Sequence, residues 1–219
     1  MFLTSLFTNI TTKKIIIVIL LIFIVFFALN YLSYYTIYKY RAIDSLELRN
    51  YSKDKIDFLL SNRSFAINDF FNISILYIIN IVCATVIIYF GSILFNIKLY
   101  FKQALYCVVI AMFVFVIQYI AEFMWLWLVQ PDYTSFELMG FTLFSVLQFF
   151  DINTLPSYLI YCFQTINLWE MLFVLALAYN LSIVVHKPFG KTLSFTLLTY
   201  GVALLFWILI IMCLSVFLN

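Results

Sequence analysis

Long apolar runs separated by polar connections are the main pattern of this chain. A bilayer core about 30 Å thick is crossed by about 20 apolar residues in a helix that rises about 1.5 Å per residue. Five runs reach that length, and none of them contains a lysine or an arginine. The pattern predicts five transmembrane helices, near Ile15–Ile37, Phe71–Phe95, Ala104–Val129, Ser157–Val185 and Thr192–Asn219.

Composition agrees with this pattern. The 219 residues are 66% hydrophobic and only 10% charged, whereas soluble domains are about 45–50% apolar and about 25% charged. These values exclude a water-soluble fold and a disordered chain. They predict an all-α polytopic membrane protein in contact with membrane lipids. A net charge of +2 offers no broad basic surface, so no nucleic-acid partner is expected. Heavy use of Ile, Phe, Asn, Lys and Tyr hints at an AT-rich bacterial genome, and hence at the bacterial inner membrane.

Lysines in the short connections predict the orientation. Short cytoplasmic connections are enriched in basic residues. The turn with Lys98 and Lys102 and the turn with Lys187 and Lys191 therefore belong to the cytoplasmic side. Five spans then place residues 1–14 in the cytoplasm, residues 15–37 as an anchor helix, and the C-terminus outside.

The connection over residues 38–70 carries both signs of charge. It holds six basic residues although the predicted orientation places it outside, which runs against the same rule. Its apolar residues recur at helical spacing, which predicts an amphipathic charged segment. Two interpretations stay open, a solvated link between spans and a docking surface for a protein partner. The apolar positions of that candidate surface are Ile43, Leu46, Ile56, Leu59 and Leu60.

The connection from Gln130 to Pro156 has no lysine or arginine, which fits the outer side. It is too apolar for a solvated loop, and it is bounded by Pro131 and Pro156. We expect an interfacial segment, with a short helix lying in the membrane surface, between the third and fourth spans.

Two carboxyl groups lie within the predicted spans. Glu122 is in the third span with Gln118 one turn earlier, and Glu170 is near the middle of the fourth, preceded by Gln164 and Asn167. On one continuous helix, Gln164, Asn167 and Glu170 would share a face. With no basic residue in any span, each carboxyl group must be protonated or be held by hydrogen bonds from neutral groups.

An ionisable group inside the membrane is costly and is therefore a functional hypothesis. The first interpretation is structural, because polar side chains join helices by hydrogen bonds within bilayers. The second is a path for a proton or another solute that uses Glu122 and Glu170. A polar cavity that reaches Glu170 would favour the second interpretation.

Catalytic signatures are missing from the sequence. His186 is the single histidine, and the chain has no GxxxxGK, GxSxG or HExxH motif. We therefore expect no catalytic site, no metal site and no cofactor.

The last 150 residues resemble a known family. The stretch NLWEMLFVLALAYNLS, and the lysine turn that leads into the last apolar run, are its strongest features. Together with the preceding pair of apolar runs, they resemble the five-span Yip proteins (Ypt/Rab-interacting proteins), above all their bacterial relatives. The resemblance covers residues 70–212, and residues 71–219 would then form a four-helix Yip-like membrane domain. The Asp-Leu-Tyr-Gly-Pro motif of the eukaryotic members is absent, so Rab binding is not implied.

The resemblance implies a non-enzymatic membrane protein that associates with other proteins. The expected function is thus a scaffold or accessory subunit of a complex in the inner membrane, partnered by another membrane protein. The alternative is a small proton-coupled transporter or channel component that uses the two intramembrane carboxylates.

Overall fold

The computed structural model describes residues 12–33, 65–128, 141–151 and 154–218. Within those ranges the chain is helical and forms no strand, so the predicted all-α class is confirmed. A 3-10 helix covers Val146–Phe149, and a π-helical segment covers Leu197–Gly201. The α-helices are α1 Thr12–Ser33, α2 Phe65–Leu94, α3 Phe101–Ala111, α4 Phe113–Leu128, α5 Ser157–Thr165, α6 Leu168–Val185, α7 Phe189–Thr196 and α8 Val202–Leu218.

Four stretches of the described helices are long and apolar enough to cross a membrane. They are Ile75–Leu94, Phe101–Leu128, Leu168–Val185 and Phe189–Phe217. These stretches correspond to the second, third, fourth and fifth predicted spans. The first predicted span contains α1, a helix of 22 residues that packs on α3 and α4 but is not among the four. The described residues therefore support four candidate spans, and the count of five is not confirmed.

Helix α3 forms the centre of the bundle and packs against both α2 and α6. Its small residues Ala104, Cys107 and Ala111 are completely buried, and so are the larger Val108 and Val109. Small residues allow helix backbones to approach closely in a membrane. On α6, Phe173 and Leu177 are also completely buried. The core thus combines small and large side chains on both helices, with Tyr106 on α3 and Ala178 on α6 also buried.

The fourth predicted span is wrong as a single helix. Helix α5 ends at Thr165, and α6 begins only at Leu168. Between them Asn167 has an extended backbone, with φ −140° and ψ 165°, and its side chain caps α6. Long apolar stretches flank this break on both sides, so hydropathy alone joined two helices into one.

The segment before α5 also differs from the predicted interfacial helix. In its described part, residues 141–151, only the four-residue 3-10 helix forms. Leu143 and Leu147 are buried, and Thr142 and Ser145 are buried beside them. One side of this short segment is therefore inserted against the helices, while Phe144, Phe149 and Phe150 are exposed on the other.

The last span is far less buried than the others. Only 6% of its most apolar stretch is buried, compared with 33–44% in the other three candidate spans. Helix α8 packs mainly on α5, where the Trp207 indole N–H donates to the Tyr161 hydroxyl at 3.0 Å. Most of its surface is therefore left to lipid or to another protein.

Candidate functional site

Glu122 on α4 is the first polar centre of the bundle. Its Oε1 accepts a hydrogen bond from the Gln118 side-chain amide at 2.8 Å. The same oxygen accepts from the Leu143 backbone N–H at 3.2 Å. Glu122 thus joins α4 to the inserted segment 141–151, and Gln118 is placed beside it as its spacing of one helical turn predicts.

The inserted segment is held from its other side by α5 and α6. The Trp169 indole N–H donates to the Leu143 carbonyl at 2.8 Å. The Gln164 amide donates to the Thr142 hydroxyl at 3.1 Å. Leu143 therefore has both backbone groups bonded to side chains from neighbouring helices, which leaves neither group unpaired within the bundle.

Asn167 holds the break between α5 and α6. Its Oδ1 accepts from the Glu170 backbone N–H at 2.8 Å, which caps the first turn of α6. Its Nδ2 donates to the carbonyls of Gln164 at 3.0 Å and Thr165 at 3.2 Å, at the end of α5. A single side chain therefore satisfies backbone groups of both helices.

A short antiparallel bridge joins this break to the inserted segment. Ser145 pairs with Asn167, where the Val146 N–H donates to the Ile166 carbonyl at 2.9 Å and the Leu168 N–H donates to the Phe144 carbonyl at 3.1 Å. Phe144 has φ 61°, a left-handed conformation that is costly for an aromatic residue. The bridge gives the extended residues between the two helices the backbone partners that a continuous helix would have supplied.

Glu170 on α6 is the second polar centre. Its Oε2 accepts from the Tyr200 hydroxyl at 3.3 Å. Tyr200 lies in the π-helical segment of the last span, and such segments frequently occur at functional positions. Two candidate spans therefore meet at this carboxyl group.

The structure changes two features of the predicted polar face. Glu170 lies in the first turn of its span, not near the middle. Gln164, Asn167 and Glu170 do not share a helix face, because Asn167 is outside both helices and the helix direction is interrupted there. The five candidate residues, Gln118, Glu122, Gln164, Asn167 and Glu170, nevertheless all make hydrogen bonds within this part of the molecule.

Sequence reasoning missed several polar contacts of the bundle. The buried Asn180 on α6 donates to the Cys107 carbonyl of α3 at 3.3 Å, and Tyr77 donates to the Met112 carbonyl at 3.3 Å. An asparagine inside an apolar span is itself a signal, since such residues join helices in membranes. Met112 lies at the junction of α3 and α4, where the helix hydrogen bonding is interrupted.

A groove on the surface between α4 and α6 has a volume of about 610 Å³ and an almost entirely apolar lining. Its lining includes neither Glu122 nor Glu170. The described residues contain no group of three side chains suited to a metal ion. The docking candidates Ile43, Leu46, Ile56, Leu59 and Leu60 lie outside the described residues.

No protein-family model, no curated protein and no solved structure matches it.

Proposed function

We propose that this chain is a non-catalytic scaffold or accessory subunit of a membrane protein complex in the bacterial inner membrane. In this proposal α1 is a fifth span, the N-terminus and the lysine turns are cytoplasmic, and the C-terminus is outside. The features of the Yip proteins noted in the sequence are consistent with such a role. They remain a resemblance, because no comparison identifies the family.

The observation that carries the proposal is the exposure of the last span. Helix α8 has large apolar side chains exposed around its surface, and the described residues cover little of it. The polar side chains of the interior form hydrogen bonds that join α4, α5, α6 and the inserted segment. These bonds support a structural role for the polar side chains. A helix that its own chain leaves uncovered is well placed to pack against a helix of another subunit.

Tryptophan substitutions on α8 test this role. Lipid accommodates a larger side chain, whereas a packed helix interface is disrupted by it. We expect Leu205→Trp and Leu209→Trp to reduce the amount of co-purified complex in mild detergent by at least about fivefold, as a loss of roughly 1 kcal/mol would produce. Size-exclusion chromatography with light scattering measures the complex, and mass spectrometry of the co-purified material identifies the partner.

The matched controls are Leu76→Trp and Ile79→Trp on α2, because the native side chains at these two positions are exposed as well. These variants should retain the complex. The proposal fails if the native chain is a monomer without a partner, or if the α8 variants behave like the α2 variants.

Residues 38–64 supply a second proposed contact for the partner, through their apolar positions at helical spacing. Replacement of residues 43–60 by a Gly/Ser linker belongs to the same experiment. Loss of the partner in this variant, with normal membrane insertion, would place part of the interface there.

The alternative function, a proton-coupled transporter component, is favoured by a single feature, the contact between Glu170 and Tyr200. The two roles differ in what Glu170→Gln does. For a structural contact, Gln keeps the acceptor, so we expect the free energy of unfolding to change by less than about 0.5 kcal/mol, whereas Glu170→Leu should lower it by about 1 kcal/mol. Proton handling instead requires an ionisable group.

Vesicles that contain the purified chain and a pH-sensitive dye distinguish the two roles, with Asp151→Asn, at an exposed carboxyl group outside the candidate spans, as the control. A proton flux that is present in the native chain and abolished by Glu170→Gln, in a protein that still folds, would contradict the scaffold proposal and establish the alternative.

A further inference from the structure

We propose that α5 and α8 move together, as one pair, against the rest of the bundle. The two hinges of this motion are the break at residues 166–167, which joins α5 to α6, and the π-helical segment Leu197–Gly201, which joins α7 to α8. This inference concerns motion within the chain and does not depend on the proposed role as a scaffold.

Helices α5 and α8 pack mainly on each other. Besides this mutual contact, α5 packs on the 3-10 helix of the inserted segment, and α8 continues from the π-helical segment. Among the described residues, neither helix has an extensive contact with α2, α3, α4 or α6. Helix α6, by contrast, packs on α3, α4 and α7. The α5–α8 pair is therefore distinct from the core of the bundle, to which the two hinges connect it.

The two hinges are irregular and lie side by side. Ile166 and Asn167 have extended backbones, so the helical hydrogen bonding is interrupted there. The π-helical segment departs from α-helical bonding, and helices kink at such segments. Tyr200 in this segment donates to Glu170, three residues after the break, which brings both hinges to the same level of the bundle. Two packed helices can bend together only where each has a hinge at the same level, and this arrangement meets that condition.

The side-chain contacts between the pair and the inserted segment are not deeply buried. The Gln164 amide donates to the Thr142 hydroxyl at 3.1 Å, in a partly buried bond. The ring of Phe163 stacks on the exposed Phe150, with 4.8 Å between the ring centroids. Regions held by few buried contacts open at a low cost in free energy. The motion would break these two contacts and leave the contact between α5 and α8 intact.

Native cysteines allow the motion to be measured in the full chain. Cys83 on α2 and Cys213 on α8 are both exposed, so each can carry a spin label once Cys107 and Cys162 are replaced by alanine. Electron paramagnetic resonance on the labelled chain in nanodiscs then measures the distance between the core and the pair. We expect two distances, one for the arrangement described here and a second for the displaced pair.

Phe150→Ala should raise the ratio of the second distance to the first by about fivefold. An aromatic pair contributes about 1 kcal/mol, which corresponds to that factor. Gln164→Ala should act in the same direction, and it serves if Phe150→Ala does not fold. Trp207→Phe is the matched control, because it removes a hydrogen bond within the pair. It should change the ratio by less than about twofold.

Two further pairs of labels test which parts move together. Cys83 with Tyr179→Cys, at an exposed position of α6, reports on the core. Cys162 with Cys213 reports on the distance between α5 and α8. Each of these pairs should give a single distance that Phe150→Ala leaves unchanged.

Three results would overturn the inference. The first is a single distance between the labels on α2 and α8 that stays the same in the native chain and in both loosened variants. The second is an equal change of the ratio in Phe150→Ala and Trp207→Phe. The third is a second distance within the core or between α5 and α8, because either would show a general loosening instead of a movement of the pair.

Discussion

Gly91→Ala is expected to lower the free energy of unfolding by about 2–3 kcal/mol, the upper range for overpacking a tight contact. A Cβ atom at Gly91 on α2 would lie 2.2 Å from Thr199 Cγ2 and 3.0 Å from Thr199 Cβ, in the π-helical segment. Thr199 cannot turn away easily, because β-branched side chains are stiff in helices and its hydroxyl donates to the Phe195 carbonyl at 2.8 Å. Unfolding in mixed detergent micelles measures the change.

Gly190→Ala is the matched control, because a Cβ atom there meets nothing within 4 Å. It should be neutral or raise the stability by up to about 1 kcal/mol, since alanine is the better helix former. Thr199→Ser removes the methyl group that clashes and keeps the hydroxyl. In the Gly91→Ala background it should therefore restore part of the loss, which a double-mutant cycle detects. Equal effects of Gly91→Ala and Gly190→Ala would contradict the close packing of α2 on the last span.

The contact between Gly91 and Thr199 also shows what hydropathy omits. The fourth apolar run begins at Ser157, whereas its candidate span begins at Leu168. The runs of the second, third and fifth predicted spans lie within a few residues of their candidate spans, because a span must be long and apolar to cross a bilayer. They carry no information about which helices touch. The pairing of α2 with the last span depends on the contact of Gly91 with Thr199, more than a hundred positions away in the sequence. A periodic pattern within one run contains no information about such a contact.

Polar residues within the predicted spans identified the site but did not predict its geometry. Glu122 and Glu170 stand out in the sequence because a charged group in lipid is costly, and both make hydrogen bonds in the structure. The Gln118 contact follows from helical spacing alone. The Tyr200 contact does not, because it depends on how α6 packs against the last span. Trp169 was not among the candidates, since a tryptophan in an apolar run is usually explained by burial.

The break in the fourth span had a local signal that the apolar pattern concealed. Asn167 stands three residues before Glu170, which is the spacing of a helix start with an asparagine cap. The tertiary structure then supplies the partners that make the break stable, through the bridge between Ser145 and Asn167. Hydropathy averages over a long window, so the polar Gln164, Thr165 and Asn167 are outweighed by the apolar residues on either side of them.

Asn167→Ala is accordingly expected to cost about 2–3 kcal/mol of stability. It removes the cap on Glu170 N–H, worth about 1 kcal/mol. It also leaves the Gln164 and Thr165 carbonyls without the amide donor, and an unsatisfied buried group costs about 1–3 kcal/mol. Asn167→Asp keeps the capping oxygen but has no amide donor, so its loss should be intermediate. Asn80→Ala, an exposed asparagine on α2, should change the stability by less than about 0.5 kcal/mol.

Hydrogen exchange locates the consequence of losing this side chain. In the native chain the Val146 and Leu168 amides are bonded across the bridge, so both should be protected. In Asn167→Ala the ends of α5 and α6 lose their common anchor, and these amides should exchange faster than those of the α3 core. If protection of residues 141–151 is unchanged while the global stability falls, Asn167 stabilises only the helix ends. The inserted segment would then be held independently, by the bonds from Glu122 and Trp169 to Leu143.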